Sequence, residues 1–172
     1  GFNQISTYTT PDNETHVNRP EISWSIISPG LMSQRTGACS VALDSADEVW
    51  LIGGFMDPNP SQSGDETAVS LIEVYDNVNN TWEPSPMILP SPQMYCEAEI
   101  IGDKIFVVGE WPRGSSNPPQ ISSGIVQIYN ISNNTWFSGS SMLPLNERGN
   151  GGMAESGGYL YYAGGVRNQA GN

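Results

Sequence analysis

Residues 68–82 read AVSLIEVYDNVNNTW, and the pattern returns at residues 124–136 as GIVQIYNISNNTW. In both copies an alternating apolar run ends in a tyrosine, an Asn-Asn turn follows, and a tryptophan stands seven residues after the tyrosine: Tyr75 to Trp82, Tyr129 to Trp136. Upstream of each copy lies a β-rich run that closes on glycine, DEVWLIGG at 47–54 and DKIFVVGE at 103–110. A third, GGYLYYAGG, stands at 157–165. Gly53, Gly109 and Gly164 recur at intervals of 56 and 55 residues. Strands and turns recurring at such a period predict a repeat architecture.

The spacing predicts the order of strands. Residues 36–43 form a first strand, 44–47 a turn and 48–52 a second strand; a Pro-, Asn- and Ser-rich loop spans 55–68, a third strand runs through Tyr75, and a fourth begins at Trp82. The next unit repeats this with strands at 94–101 and 104–108, joined by Gly102-Asp103, a strong hairpin signal. Its loop covers 110–123, and its last strands lie at 125–129 and from Trp136. Residues 148–165 offer only a first and second strand around Gly157-Gly158. Residues 3–10 match a third strand, with Ile5 and Tyr8 in the places of Ile72 and Tyr75. The polar stretch TPDNETHVNRPEIS then reads as a loop before Trp24 opens a fourth strand.

The diglycines Gly53-Gly54 and Gly164-Gly165, the later Tyr75 and Tyr129, the tryptophans Trp82 and Trp136, and the arginines Arg35 and Arg148 together resemble kelch repeats, the blades of a β-propeller. Two positions depart from the pattern: Glu110 replaces a second glycine, and Gln93 stands where the other units have arginine. The resemblance implies an all-β propeller segment of about three four-stranded blades over residues 1–172. Residues 1–30 supply the third and fourth strands of one blade, 31–84 and 85–138 are whole blades, and 139–172 supply the first and second strands of another. Three blades do not close a ring, since propellers take about four to eight. The two half-blades are therefore expected to be completed by further copies, two of which make a six-bladed ring, or by the rest of a longer chain. A start at Gly1 without methionine or leader sequence fits a processed or excised segment.

Composition narrows the function. Eighteen acidic against six basic residues give a net charge of −12, which repels phosphate backbones and argues against nucleic acid as a partner. No stretch is apolar for the roughly 18 residues that a helical membrane span needs. Cys39 and Cys96 fall in the first strands of adjacent units, 14 and 13 residues before the unit's glycine. A Cys39–Cys96 disulfide and two buried free thiols are the two readings. Sequons stand at Asn13, Asn79, Asn130 and Asn133, and Asn79 and Asn133 occupy the same turn of successive units. An extracellular or cell-surface glycoprotein is expected.

Catalysis finds little support. Copper radical oxidases of the galactose oxidase type carry a kelch propeller, but their copper needs two histidines, and His16 is the single histidine here, in a polar stretch. Glu97 and Glu99, two apart on one strand, share a face and form the nearest thing to an acid/base pair. Neither cofactor nor metal is expected. The remaining candidate is the rim, where the loops between second and third strands meet the connections between units. Trp111 and Arg113 are its aromatic and cationic contact residues, Asp57, Asp65 and Glu66 make it acidic, and Arg35 and Arg148 flank it. The expected function is a non-catalytic structural or protein-interaction module. The alternatives are the propeller portion of a secreted oxidase and a lectin-like propeller that binds an extracellular glycan through Trp111.

Overall fold

The computed structural model describes residues 7–9, 15–17, 33–56, 67–110, 125–142 and 148–167. Every regular element among them is a strand. A hairpin of β1 (Thr7–Thr9) and β2 (Thr15–Val17) comes first. The first four-stranded sheet contains β3 (Cys39–Leu43), β4 (Glu48–Ile52), β7 (Ile72–Asp76) and β8 (Thr81–Pro84). A short hairpin, β5 (Phe55–Met56) with β6 (Thr67–Ala68), stands at the base of the 55–68 loop. The second four-stranded sheet is β9 (Met94–Ile101), β10 (Lys104–Glu110), β11 (Ile125–Asn130) and β12 (Thr135–Met142). A final pair, β13 (Arg148–Ser156) and β14 (Tyr159–Arg167), forms a two-stranded sheet. The two larger sheets are antiparallel meanders of identical order.

Register explains the repeated tyrosine and tryptophan. Tyr75 lies directly opposite Trp82 and Tyr129 opposite Trp136, so each pair of rings meets at 5.3 and 5.1 Å. Such cross-strand aromatic pairs add about 0.5–1.5 kcal/mol beyond their burial. The turn after β3 has four residues, 44–47, and the turn after β9 has two, 102–103. Equivalent residues are therefore 58 apart on the first strand and 56 apart on the second: Val41 faces Trp50 as Glu99 faces Phe106.

The core lies between the two larger sheets. Alternation along β3 turns Cys39, Val41 and Leu43 inward, and Trp50, Ile52 and Ile72 share that face. The second sheet answers with Cys96, Ile105, Val107 and Tyr129, and Trp50 meets Tyr129 at 5.3 Å between ring centres. The one-residue difference in cysteine spacing now has a structural meaning. It puts Cys39 and Cys96 on opposite faces of equivalent strands, so that they point at each other across the core. They form a disulfide, with Cα atoms 5.1 Å apart. Of the two sequence readings, the cross-link is the one present.

The glycines after β4 are required by close approach. Gly53 and Gly54 have φ of 64° and 97°, and a Cβ on Gly53 would lie 2.5 Å from the Gln93 carbonyl oxygen. Gly54 N donates to that same oxygen at 2.8 Å, joining the end of β4 to the start of β9.

Three expectations need correction. The polar stretch after β1 contains a strand: Thr15–Val17 pairs with Thr7–Thr9, and His16 stands opposite Tyr8 rather than in a loop. A β-branched Thr-x-Val run satisfied by an adjacent strand overrides the polarity of its flanks. Trp24, expected to open the partner strand, lies outside the described residues. The first strand of the first large sheet begins at Cys39 rather than at residue 36, because Gly37, at φ 63°, breaks the extended run. Thr36 keeps only an isolated bridge to Phe55. The expected 55–68 loop is shortened at its base by β5 and β6, which bury Phe55 and Ala68 against Met94.

Candidate functional site

The rim is expected where the loops between second and third strands meet the connections between units, and the described residues bring the bases of these segments together at one end. The segment before β3, the end of β4 and the segment before β9 are joined there by Thr36 N to Phe55 O at 3.1 Å, Phe55 N to Thr36 O at 2.8 Å, and the Gly54–Gln93 bond. The 55–68 loop leaves from this end, and β10 ends toward it. Trp111, Arg113, Asp57, Asp65 and Glu66 lie outside the described residues. Arg148 begins β13.

Arg35 is not a surface contact. Its side chain is 0% exposed and ion-paired with Glu73, itself 3% exposed. Arg35 Nη2 donates to Leu51 O at 3.1 Å and Nη1 to Ser33 O at 3.4 Å, while Glu73 Oε1 accepts from Ser33 N at 3.0 Å. A buried charge needs a partner and further hydrogen bonds, and this one has both. The guanidinium is spent inside the first sheet, tying the approach to β3 onto β4 and β7.

The second sheet performs the same task without charge. Gln93 stands at the place of Arg35 and Gln127 at that of Glu73, and both glutamines are buried. Gln127 Oε1 accepts from Ser91 N at 2.8 Å, as Glu73 accepts from Ser33 N, and Gln127 Nε2 donates to Ser91 O at 2.9 Å. Sequence reading noted Gln93 as a departure from the pattern. The missed signal was its companion: arginine and glutamate are replaced together, by glutamine and glutamine.

At the opposite end a cleft of about 260 Å³ opens beside β8, lined by Glu48, Trp50, Asp76, Glu83 and Met87 among others. Two of its polar groups are already engaged. Glu48 Oε2 accepts from Trp50 Nε1 at 2.8 Å. Asp76 Oδ1 accepts from the backbone of Val78 and Asn79, and Oδ2 from Asn79 Nδ2 at 2.6 Å. The hydrogen bonds from Asn79, backbone first and then side chain, hold the Asp76 carboxyl below its ordinary pKa. Burial, with Glu48 adding to it, raises the Tyr129 hydroxyl, whose proton is shared between Met87 Sδ and Asn134 Oδ1.

Glu97 and Glu99 share one face of β9, both half-buried, while Ala98 between them packs against the core. Glu99 Oε1 accepts from Ile100 N at 3.1 Å, a local bond that commits it to the backbone. Among the described residues no group of three or more His, Cys, Asp or Glu is arranged to hold a metal ion. No described helix is long and apolar enough to cross a membrane. The disulfide suits an oxidising compartment.

No family model matches the chain, and no curated protein matches it. Among solved structures it is similar to one titled "Structure of YjhT", at 12% identity with a TM-score of 0.58. The match covers 89% of this chain and 48% of that one, so the chain spans about half the length of the structure it resembles. At that identity the likeness shows a shared β fold and carries nothing about activity.

Proposed function

We propose that the chain is a segment of a kelch-type β-propeller that acts outside the cell as a non-catalytic structural or protein-interaction module. The observation that carries this reading is the placement of β9, which packs against both β3 and β13. First strands of three successive sheets thus stand side by side, as innermost strands do around a propeller axis. The third sheet has two strands among the described residues where the other two have four. On β14, Tyr159 and Tyr161 are 71% and 58% exposed. Among the described strands β14 pairs only with β13, and a sheet ending on such a strand beside exposed aromatics invites further strands. They come from another copy or from more of a longer polypeptide, and the completed ring is six-bladed. The disulfide and the sequons support a secreted glycoprotein, and the loop end is its contact surface for a protein or an extracellular glycan.

Sedimentation of the whole purified protein, with metal analysis of the same sample, tests this. The expected result is a particle at least twice the mass of these 172 residues, free of stoichiometric metal. A compact monomer of the 172 residues alone sinks the ring, and bound copper at full occupancy sinks the non-catalytic role in favour of an oxidase.

A further inference from the structure

The turns that follow β7 and β11 divide three jobs among their asparagines and aspartate. The first residue closes the turn: Asp76 accepts from the backbone of Val78 and Asn79, and Asn130 Oδ1 accepts from Asn133 N at 3.1 Å. The last residue takes the left-handed backbone, φ 56° at Asn80 and 57° at Asn134, and its Oδ1 accepts the hydroxyl of Tyr75 or Tyr129 at 2.9 and 3.0 Å. The residue between, Asn79 or Asn133, is exposed and makes only local hydrogen bonds among the described residues.

Asn130 is therefore a structural residue that happens to begin a sequon. It is half-buried, stands where the first unit has Asp76, and points Nδ2 at Asp103 Oδ2, 3.4 Å away. Ser132, the hydroxyl residue of its sequon, donates to that same Asp103 oxygen at 2.9 Å, and Ile131 N donates to Asp103 O at 2.8 Å. This stretch locks the turn after β11 onto the turn after β9. Asn133 instead accepts from the Thr135 hydroxyl at Oδ1, 2.5 Å, and its amide nitrogen donates to nothing among the described residues.

We propose that Asn79 and Asn133 carry N-linked glycans and that Asn130 does not. This rests on the reading of the chain as secreted and adds which sequons are used. In the transfer, the amide nitrogen attacks the anomeric carbon of a polyprenyl-pyrophosphate-linked oligosaccharide. A C–N bond forms, the C–O bond to pyrophosphate breaks, and the amide gives up one proton. One N–H remains, so Asn79 keeps its bond to Asp76 Oδ2. Both glycans then hang from the end opposite the 55–68 loop and leave the loop end open to a partner.

The test is to secrete the whole protein from a eukaryotic host and remove glycans with an amidase that converts each glycan-bearing asparagine to aspartate in heavy-oxygen water. Label is then mapped by peptide mass spectrometry. Label at 79 and 133 with none at 130 is expected, and Asn130→Asp, which installs the first unit's residue, leaves the glycan count unchanged. Label at 130, or unlabelled 79 or 133 in the folded secreted protein, overturns the assignment. The host imposes secretion, so failure of the extracellular reading shows separately, as native protein found inside its own cells.

Discussion

Arg35→Gln lowers stability by about 3–5 kcal/mol, and adding Glu73→Gln to it restores most of the loss. The single change leaves the Glu73 carboxylate buried with only the Ser33 amide for a partner, and an uncompensated buried charge costs about that much. The second change removes the charge and recreates what the second sheet already has. The new side-chain amide would accept from Ser33 N and donate to Ser33 O, as Gln127 does with Ser91 N and O. A residual cost of about 1–2 kcal/mol remains, because the Leu51 carbonyl loses its Arg35 donor. Urea unfolding of the two single variants and the double measures the coupling directly. If the double variant is no more stable than Arg35→Gln alone, the two sheets are not solving the same packing problem.

Breaking the disulfide is expected to cost about 4 kcal/mol. The cysteines are 57 residues apart, and chain-entropy arithmetic for a loop of that length gives this value. The folded state has little reason to rearrange. Both sulfurs sit near the Ile52 carbonyl, at 3.6 and 3.3 Å, which serine hydroxyls can use in Cys39→Ser/Cys96→Ser. Reductant added to the wild-type protein lowers the urea midpoint to match the double variant. An unchanged midpoint, with two thiols titrating after reduction, would show that the cross-link contributes nothing to the junction of β3 with β9.

What the sequence made legible follows from local physics. The strands of the two four-stranded sheets and of the final hairpin announce themselves through apolar alternation and through turn residues such as Gly102-Asp103, which need no distant partner to be understood, whereas the two-residue strands β5 and β6 fall in a stretch that reads as loop. The facing of Cys39 and Cys96 was also written in the chain, as a one-residue difference in spacing, but it decides only once strand register is known. Arg35 was misread because the burial of a charge depends on Glu73, 38 residues away. From one copy alone, an arginine beside a loop looks like a surface contact. Comparing copies would have shown that Arg35 and Glu73 change together into Gln93 and Gln127. The strand Thr15–Val17 was missed because acidic and polar neighbours hide a three-residue run. Its existence depends on pairing with Thr7–Thr9. The rim residues Trp111 and Arg113 lie outside the described residues, so the loop end is defined by the strands that lead to it.

The central claim is that successive sheets stand around a common axis with β3, β9 and β13 innermost. Electron-microscope class averages of the intact secreted particle test it most directly. The account predicts end-on views of a closed ring with a central channel and six equally spaced sectors. Views showing two stacked sheets with a bare third hairpin, and no ring at any protein concentration, would contradict it.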